Sequence, residues 1–253
     1  GFKGLFGSPQ NIILKAMRVG ILNTDDVRTE LKNEHGQYPE MFKNLLQNPG
    51  GQKAHLEFNV YDTHKRILPS SIDENDAYLI TGSRLSTYDN FAWIKNLEEF
   101  IRTIHLHKKK LVGICFGHQL VAQALGGKVE RSKNGWQLGI KKASEIKNHS
   151  EFKLKEFNLI YSHQDEVTKP PESAKIMACT KYCQNVAMSI DKHILTFQGH
   201  PEFSVDYALA LLKIRADIYS KKQINEAKFS LNKNTADKNL IAEKILEFFH
   251  DSN

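Results

Sequence analysis

The sequence predicts an α/β fold with a mostly parallel central sheet and helices on both of its faces. Short apolar runs alternate along the first half of the chain with longer stretches in which apolar residues recur at helical spacing. Most of these runs are continuously apolar, which is typical of strands that are covered on both faces. In such an architecture ligands bind at the carboxyl ends of the strands.

The first predicted elements are βα units. A strand is predicted at residues 17–22, which are apolar and end at turn residues. A helix is predicted at residues 40–46, because its apolar residues recur at helical spacing after Pro39 and the pattern stops at a pair of glycines. Residues 56–61 and Ala77–Ile80 are the next two predicted strands.

Helices and strands continue to alternate beyond these units. Residues 91–105 carry an apolar stripe with a helical period, and residues 111–114 form another buried strand. The second half starts with strands and ends with helices. Strands are predicted at residues 159–161, Ala174–Cys179, residues 186–190 and Ile194–Phe197. Helices are predicted from residue 204 and over residues 239–250, and residues 219–238 are predicted to form irregular helix or loop.

Length and composition fit one domain of an ordinary globular type. The chain has 253 residues, of which 40% are hydrophobic and 25% are charged. Residues 17–253 are expected to form this single domain, and residues 1–16, ahead of Met17, are expected to be an extension or a cloning remnant. No apolar run approaches the roughly 18 residues that a membrane span needs, so no membrane association is expected.

Charge and cysteine content narrow the expected partners and location. Lys and Arg number 35 against 29 Asp and Glu, but the dense basic run at residues 108–110 is interpreted as a solvated helix end, so no nucleic acid is expected as a partner. Three cysteines are too few for a disulfide framework, which favours a reducing, cytoplasmic location. Cys179 and Cys183 lack partners at zinc spacing and are expected to be structural, with no metal site.

The sharpest chemical feature is a cysteine between two glycines. An apolar strand leads into Gly113-Ile114-Cys115-Phe116-Gly117, and a helix follows. This pattern indicates a nucleophile elbow, a strained strand-to-helix turn that holds the nucleophile above the sheet edge. A helix N terminus favours the thiolate of Cys115 over the thiol, and the Phe116 N–H would form half of an oxyanion hole. A small buried residue in an ordinary βα turn is the alternative interpretation.

A second segment strengthens the catalytic interpretation. A strand ends at Gly199, and His200 and Glu202 follow on either side of a proline that stiffens the chain. Two residues apart on an extended chain, both side chains lie on the same side. His200 can then exchange a proton while Glu202 fixes its tautomer and stabilises its charged form, as in a catalytic triad with the chain order Cys, His, Glu.

Four blocks in the sequence together resemble one known family. They are Leu79-Ile80-Thr81-Gly82-Ser83, Gly113-Ile114-Cys115-Phe116-Gly117-His118-Gln119, Ser162-His163-Gln164-Asp165-Glu166-Val167 and Gly199-His200-Pro201-Glu202-Phe203. With these blocks in the same order and spacing, residues 17–212 resemble the class I, or triad, glutamine amidotransferases, which implies a flavodoxin-like fold. In that family a cysteine attacks the side-chain amide of glutamine, forms a γ-glutamyl thioester and releases ammonia before water frees glutamate.

The resemblance implies a role for each matching residue. Cys115 would be the nucleophile, His200 the acid and base, and Glu202 the orienting carboxylate. His118 and His163 are rival bases, disfavoured because no carboxylate accompanies His118 and His163 matches a substrate-holding loop. The oxyanion hole would be formed by Gly82, Ser83 and Phe116, and the glutamine substrate would be held by Gln119, Ser162 and His163.

Within the family, the sequence resembles the free-standing enzymes similar to plant γ-glutamyl peptidases and the glutaminase domain of GMP synthase. Asp25-Asp26 and the residues at 36–42 and 163–174 favour the free-standing type. Ser83-Arg84 stands where the GMP synthase type has Gly-Pro, which is a departure from that type at the predicted oxyanion turn. The chain contains neither a P-loop nor an ATP-pyrophosphatase loop, so no nucleotide cofactor is expected.

The expected activity is the cysteine-dependent hydrolysis of a γ-glutamyl amide bond, in glutamine or a γ-glutamyl peptide, by a stand-alone enzyme. One alternative is a glutaminase subunit that delivers ammonia to a separate synthetase as its partner. An alternative of another class is a binding or regulatory module without catalysis, and a cysteine-elbow protein of the stress-protein type is a third. The sequence predicts neither the leaving amine nor the oligomeric state.

Overall fold

The computed structural model describes residues 15–51, 53–146 and 154–251. Its strands are β1 (Met17–Asn23), β2 (Leu56–Asp62), β3 (Ala77–Ile80), β4 (Lys110–Ile114), β5 (Lys128–Arg131), β6 (Gln137–Glu145), β7 (Glu156–His163), β8 (Asp165–Lys169), β9 (Ala174–Cys179), β10 (Ala187–Ile190) and β11 (Ile194–Phe197). Its helices are α1 (Thr29–His35), α2 (Tyr38–Gln47), α3 (Ala92–Leu106), α4 (Phe116–Ala124), α5 (Val205–Ile214), α6 (Lys221–Lys233) and α7 (Lys238–His250). The predicted extension at residues 1–16 lies, up to residue 14, outside the described residues.

The central sheet is mixed rather than parallel throughout. Its strand order is β2-β1-β3-β4-β11-β10-β9-β6-β7. The pairs from β2 to β11 are parallel, and those from β11 to β7 are antiparallel. Among the described residues, no helix connects one of the strands β6 to β11 to the next, so neighbours such as β10 and β11, joined by a short turn, pair antiparallel. The α/β class is confirmed, with the parallel half limited to five strands.

Helices cover both faces of the parallel half, as the sequence predicts. On one face Val19 and Ile21 of β1 pack in a core with side chains of α2 and α7. On the other face Tyr78 and Ile80 of β3 pack with side chains of α3 and α4. Because successive side chains of a strand point to opposite faces, a strand buried on both sides must be continuously apolar. Within the described residues, no helix is both long and apolar enough to cross a membrane.

The segment predicted as irregular helix or loop at residues 219–238 contains a regular helix, so that prediction is wrong. The Ser220 side chain accepts a hydrogen bond from the Gln223 backbone and the Gln223 side chain accepts one from the Ser220 backbone, which forms a capping box. Ala227 and Leu231 are buried against the sheet, and the Ser230 hydroxyl accepts a hydrogen bond from the backbone of β6. Long-range packing of few apolar residues therefore orders a polar segment.

Candidate active site

Cys115 lies at the junction between β4 and α4, as the N-cap residue of the helix. Its backbone has φ 52° and ψ −103°, a conformation that non-glycine residues adopt only under strain. A Cβ at Gly113 would lie 2.7 Å from the Gly117 carbonyl oxygen, and one at Gly117 would lie 2.6 Å from the Ile80 carbonyl oxygen. Only glycine fits either position, because strand and helix backbones approach closely around the cysteine.

The residues following β11 bring an imidazole and a carboxylate together. The His200 Nδ1–H donates to Glu202 Oε1 at 2.7 Å, and both residues are 4% exposed. The His200 backbone N–H donates to the Ile160 carbonyl on β7, which anchors this segment to the sheet. Burial alone would lower the pKa of His200, but the charges of Glu202 and Cys115 and their hydrogen bonds raise it to about 10. The arrangement therefore stabilises an imidazolium.

One face of this imidazole is covered by an aromatic ring. Phe203 lies parallel to His200, with ring centroids 3.9 Å apart and planes inclined by 6°. Tyr207 packs edge-on against Phe203, and Tyr38 stacks on it from further away. A ring face carries partial negative charge, so Phe203 both restricts the imidazole and favours its charged form. Sequence reasoning assigned no role to Phe203.

A buried amide, Gln198, also contacts the cysteine. Its Nε2 donates to Cys115 Sγ at 3.5 Å, and its Oε1 accepts from Gln119 Nε2 at 3.1 Å. Gln119 Nε2 also donates to the Asp165 carbonyl at 2.8 Å. Sequence reasoning missed Gln198, although a polar residue directly after the apolar strand β11 was a signal that could have indicated it. Gln119, predicted to hold substrate, donates from its amide nitrogen within this network and also lines a cavity beside Cys115.

The predicted oxyanion turn lies beside the cysteine and the imidazole. A Cβ on Gly82 would lie 3.1 Å from His200 Cε1 and 3.5 Å from Cys115 Cβ. The Thr24 hydroxyl donates to the Gly82 carbonyl at 2.8 Å, which ties the turn to the end of β1. Phe116 is the first residue of α4, so its backbone N–H is among those without a partner inside the helix.

Asp25 holds the same turn through Arg84. One carboxylate oxygen accepts the Arg84 backbone N–H at 2.9 Å, and the two oxygens accept Nε–H at 2.9 Å and an Nη2–H at 3.0 Å. Such two-pronged pairing fixes orientation as well as charge. The ion pair therefore fixes the turn through side-chain contacts.

We expect Asp25→Asn to lower kcat roughly 10- to 100-fold with little change in KM, because a loosened turn misplaces the oxyanion donors by a fraction of an ångström. Steady-state kinetics with a γ-glutamyl substrate measure both constants. The matched control is Asp76→Asn, which breaks the Arg18–Asp76 ion pair between β1 and β3 at the opposite edge of the sheet. An equal loss of kcat in both variants would contradict the positioning role of Asp25.

Two cavities meet at Cys115 and share Ser83, Arg84, Ser162 and Arg215 in their linings. The first, of about 180 Å³, is also lined by the remaining predicted substrate residues, Gln119 and His163. We call it the glutamyl cavity. The second cavity has a volume of about 40 Å³, and we call it the amine cavity. Its lining also includes His200, Arg28, Tyr38 and Phe203.

The two rival histidines are held by other contacts. His118 is fully buried, with Nδ1 against the Thr196 hydroxyl at 2.7 Å and Nε2–H donating to the Asn185 carbonyl at 2.9 Å. Burial lowers the pKa of His118 to about 4. The His163 Nδ1–H donates to the Asp165 carbonyl at 2.8 Å, and burial lowers its pKa to about 3. Both rings are therefore neutral, and neither faces a carboxylate as His200 does.

A further cavity, of about 620 Å³, lies beside Glu202. Its lining includes Glu202 and Lys238 but neither Cys115 nor His200, so it is separate from the reacting atoms. Glu202 Oε2 is buried without a hydrogen-bond partner among the described residues. In the same part of the chain, no group of three or more His, Cys, Asp or Glu side chains is arranged to hold a metal ion.

A strained cysteine lies at a helix N terminus, beside an imidazole that is paired with a carboxylate and beside the predicted oxyanion turn, an arrangement of the kind that cysteine hydrolases use. A family model described as glutamine amidotransferase class-I matches residues 37–209. The chain belongs to this family, and the resemblance that the sequence blocks suggested is confirmed.

Relatives extend the match over nearly the whole chain. A glutamine amidotransferase-like protein of Schizosaccharomyces pombe is 30% identical over 248 residues, 91% of this chain and 97% of that protein. Gamma-glutamyl peptidase 4 of Arabidopsis thaliana is 32% identical over 82% of this chain and 85% of its own. A glutamine-hydrolyzing GMP synthase chain of Methanocaldococcus jannaschii is 40% identical over 42% of this chain and 58% of its own.

The crystal structure of a glutamine amidotransferase from Methylobacillus flagellatus has the same fold. It superposes with a TM-score of 0.69 at 18% identity and covers 95% of this chain and 97% of its own.

Proposed function

We propose that this protein hydrolyses a γ-glutamyl amide bond, in glutamine or a γ-glutamyl peptide, through a thioester on Cys115. The observation that carries the proposal is that Cys115 and His200 line one cavity, that His200 is paired with Glu202, and that a second cavity also reaches Cys115. One cavity can hold the glutamyl part and the other the departing amine. Membership of a family that includes γ-glutamyl peptidases supports the same reaction class.

In the first half-reaction, the Cys115 thiolate attacks the γ-carbonyl carbon. The developing oxyanion is stabilised by backbone N–H groups of the Gly82–Ser83 turn and of Phe116. The His200 imidazolium gives its proton to the amine nitrogen, the C–N bond breaks, and the γ-glutamyl thioester remains on Cys115. Glu202 stabilises the charged imidazole and keeps it oriented throughout.

In the second half-reaction, the now neutral His200 removes a proton from water, and the resulting hydroxide attacks the thioester carbon. The C–S bond breaks, and Cys115 leaves as a thiolate paired with the His200 imidazolium. The products are glutamate and the free amine, so the two half-reactions add up to hydrolysis by one water molecule and need neither an oxidant nor a metal. His200 therefore acts first as the acid and then as the base.

The amine cavity favours a substrate larger than glutamine, for which the departing amine is only ammonia. We therefore expect kcat/KM to be higher for γ-glutamyl dipeptides than for glutamine. The test measures glutamate, free amine and ammonia by mass spectrometry with the purified protein, and Cys115→Ala serves as the blank. A preference for glutamine, or turnover that appears only with an added synthetase, would instead support a glutaminase that delivers ammonia to a partner.

The cellular setting forms part of the same proposal. Cys115, Cys179 and Cys183 are unpaired thiols, which supports a reducing compartment such as the cytoplasm. A nucleophilic thiolate also needs such a compartment to escape oxidation.

A further inference from the structure

Three arginines line the amine cavity, which is unusual for so small a space. They are Arg28, Arg84 and Arg215, and no acidic side chain lines this cavity. Arg84 is neutralised by its bidentate pairing with Asp25. Among the described residues, the guanidinium groups of Arg28 and Arg215 form neither an ion pair nor a hydrogen bond, and Arg215 Nε is buried without a partner. Two positive charges are therefore left without a counter-charge.

Aromatic rings hold Arg215 in place. Its guanidinium carbon lies 4.7 Å from the centre of the Trp136 ring and 5.6 Å from that of the Tyr219 ring. Arg28 lines the same cavity as Arg215. A stacked guanidinium keeps its N–H donors free at its edge, where a carboxylate can accept two of them.

The position of Arg28 distinguishes the two parts of a substrate. It lines the amine cavity together with His200, the group that protonates the departing nitrogen, whereas it does not line the glutamyl cavity. Arg215 lines both. An anion bound by Arg28 therefore belongs to the departing amine, on the side of the scissile bond where the proton arrives.

Resting on the proposed function, we propose that Arg28 and Arg215 form a subsite for a carboxylate carried by the departing amine. The leaving group is then an amino acid or peptide with a free C-terminal carboxylate, and the substrate class is γ-glutamyl amino acids and peptides. Ammonia and simple amines carry no negative charge that could pair with these two arginines. The glutamyl part binds in the glutamyl cavity whether the substrate is glutamine or a γ-glutamyl peptide.

The test compares three substrates with identical glutamyl parts, namely γ-glutamylglycine, γ-glutamylglycinamide and glutamine. We expect kcat/KM of the unmodified protein to be about 10- to 100-fold higher for γ-glutamylglycine than for γ-glutamylglycinamide, the range of a charge-assisted hydrogen bond. Arg28→Met should remove most of this preference and leave the values for γ-glutamylglycinamide and glutamine within about 3-fold. Arg215→Met should act in the same direction.

The matched control is Arg102→Met on α3, whose charge lies outside both cavities and which should change none of the three values. Equal kcat/KM for γ-glutamylglycine and γ-glutamylglycinamide in the unmodified protein would overturn the subsite while leaving the proposed hydrolysis intact. An equal loss with all three substrates in Arg28→Met would show that Arg28 acts on the glutamyl part. Absence of turnover with all three would overturn the proposed function itself.

Discussion

Replacing Cys115 with Ala is expected to lower the rate of glutamate release by at least about 10⁴-fold, because the thioester route loses its nucleophile. The fold should persist, since the strained backbone at this position is over-determined by the close packing of Gly113 and Gly117 around it. The rate is measured with a γ-glutamyl dipeptide, and the free energy of unfolding is measured by denaturant titration. A residual rate above about a hundredth would exclude covalent catalysis through Cys115.

Two further variants separate the loss of the thiol from any change in the fold. Cys115→Gly should be as inactive as Cys115→Ala but more stable by about 1–2 kcal/mol, because glycine adopts φ 52° without the strain of a Cβ. Cys183→Ala removes another buried thiol, one that lines neither cavity at Cys115, and should retain activity. Equal stability of the Gly and Ala variants would show that the elbow stores no backbone strain.

Local signals predicted the parallel half of the sheet and the residues around the cysteine. Ala77–Ile80 and Ile194–Phe197 are strands with the predicted bounds, since continuous apolar runs between turn residues have few alternative structures. The elbow at Cys115 was predictable because glycines on both sides of a residue at a strand end allow the strand and helix backbones to approach closely around it. The positive φ of Cys115 is the strained conformation that such a turn requires.

Features that depend on distant partners were not predictable. β6 carries a mixture of polar and apolar residues, and it packs against α6, which lies far along the chain. The stack of Phe203 on His200 requires a turn after β11 that the sequence does not specify. Gln198 contacts Cys115 across 83 positions of sequence. Arg28 and Arg215 come together only because α1 and α5 pack against each other.

The pH dependence of stability provides a test of the His200–Glu202 pair. Because the folded state keeps the His200 proton up to about pH 10 and an unfolded imidazole loses it near pH 6.5, the folded state binds more protons between these values. The stabilisation is fully present below about pH 6.5 and is lost as the pH rises toward 10. Denaturant unfolding at several pH values should show a smaller loss in Glu202→Gln, which lacks the carboxylate charge.

Activity should separate the two partners of this pair. We expect His200→Ala to abolish turnover nearly completely, because no other group can transfer the proton, and Glu202→Gln to lower kcat by roughly 10- to 10⁴-fold. The carboxylate only orients and charges the imidazole, and a glutamine oxygen can still accept the Nδ1–H. Steady-state kinetics of both variants with the same γ-glutamyl dipeptide measure this ranking.

The matched control for Glu202→Gln is Asp165→Asn. The Asp165 carboxylate lies near Cys115, but its oxygens accept hydrogen bonds from Ser86 and Tyr88 and not from His200. Asp165 also contributes its backbone carbonyl to Gln119 and His163, which the substitution leaves in place. We therefore expect a smaller loss of kcat in Asp165→Asn than in Glu202→Gln. Full activity of Glu202→Gln together with a large loss in Asp165→Asn would transfer the orienting role to Asp165, against the 2.7 Å contact between His200 and Glu202.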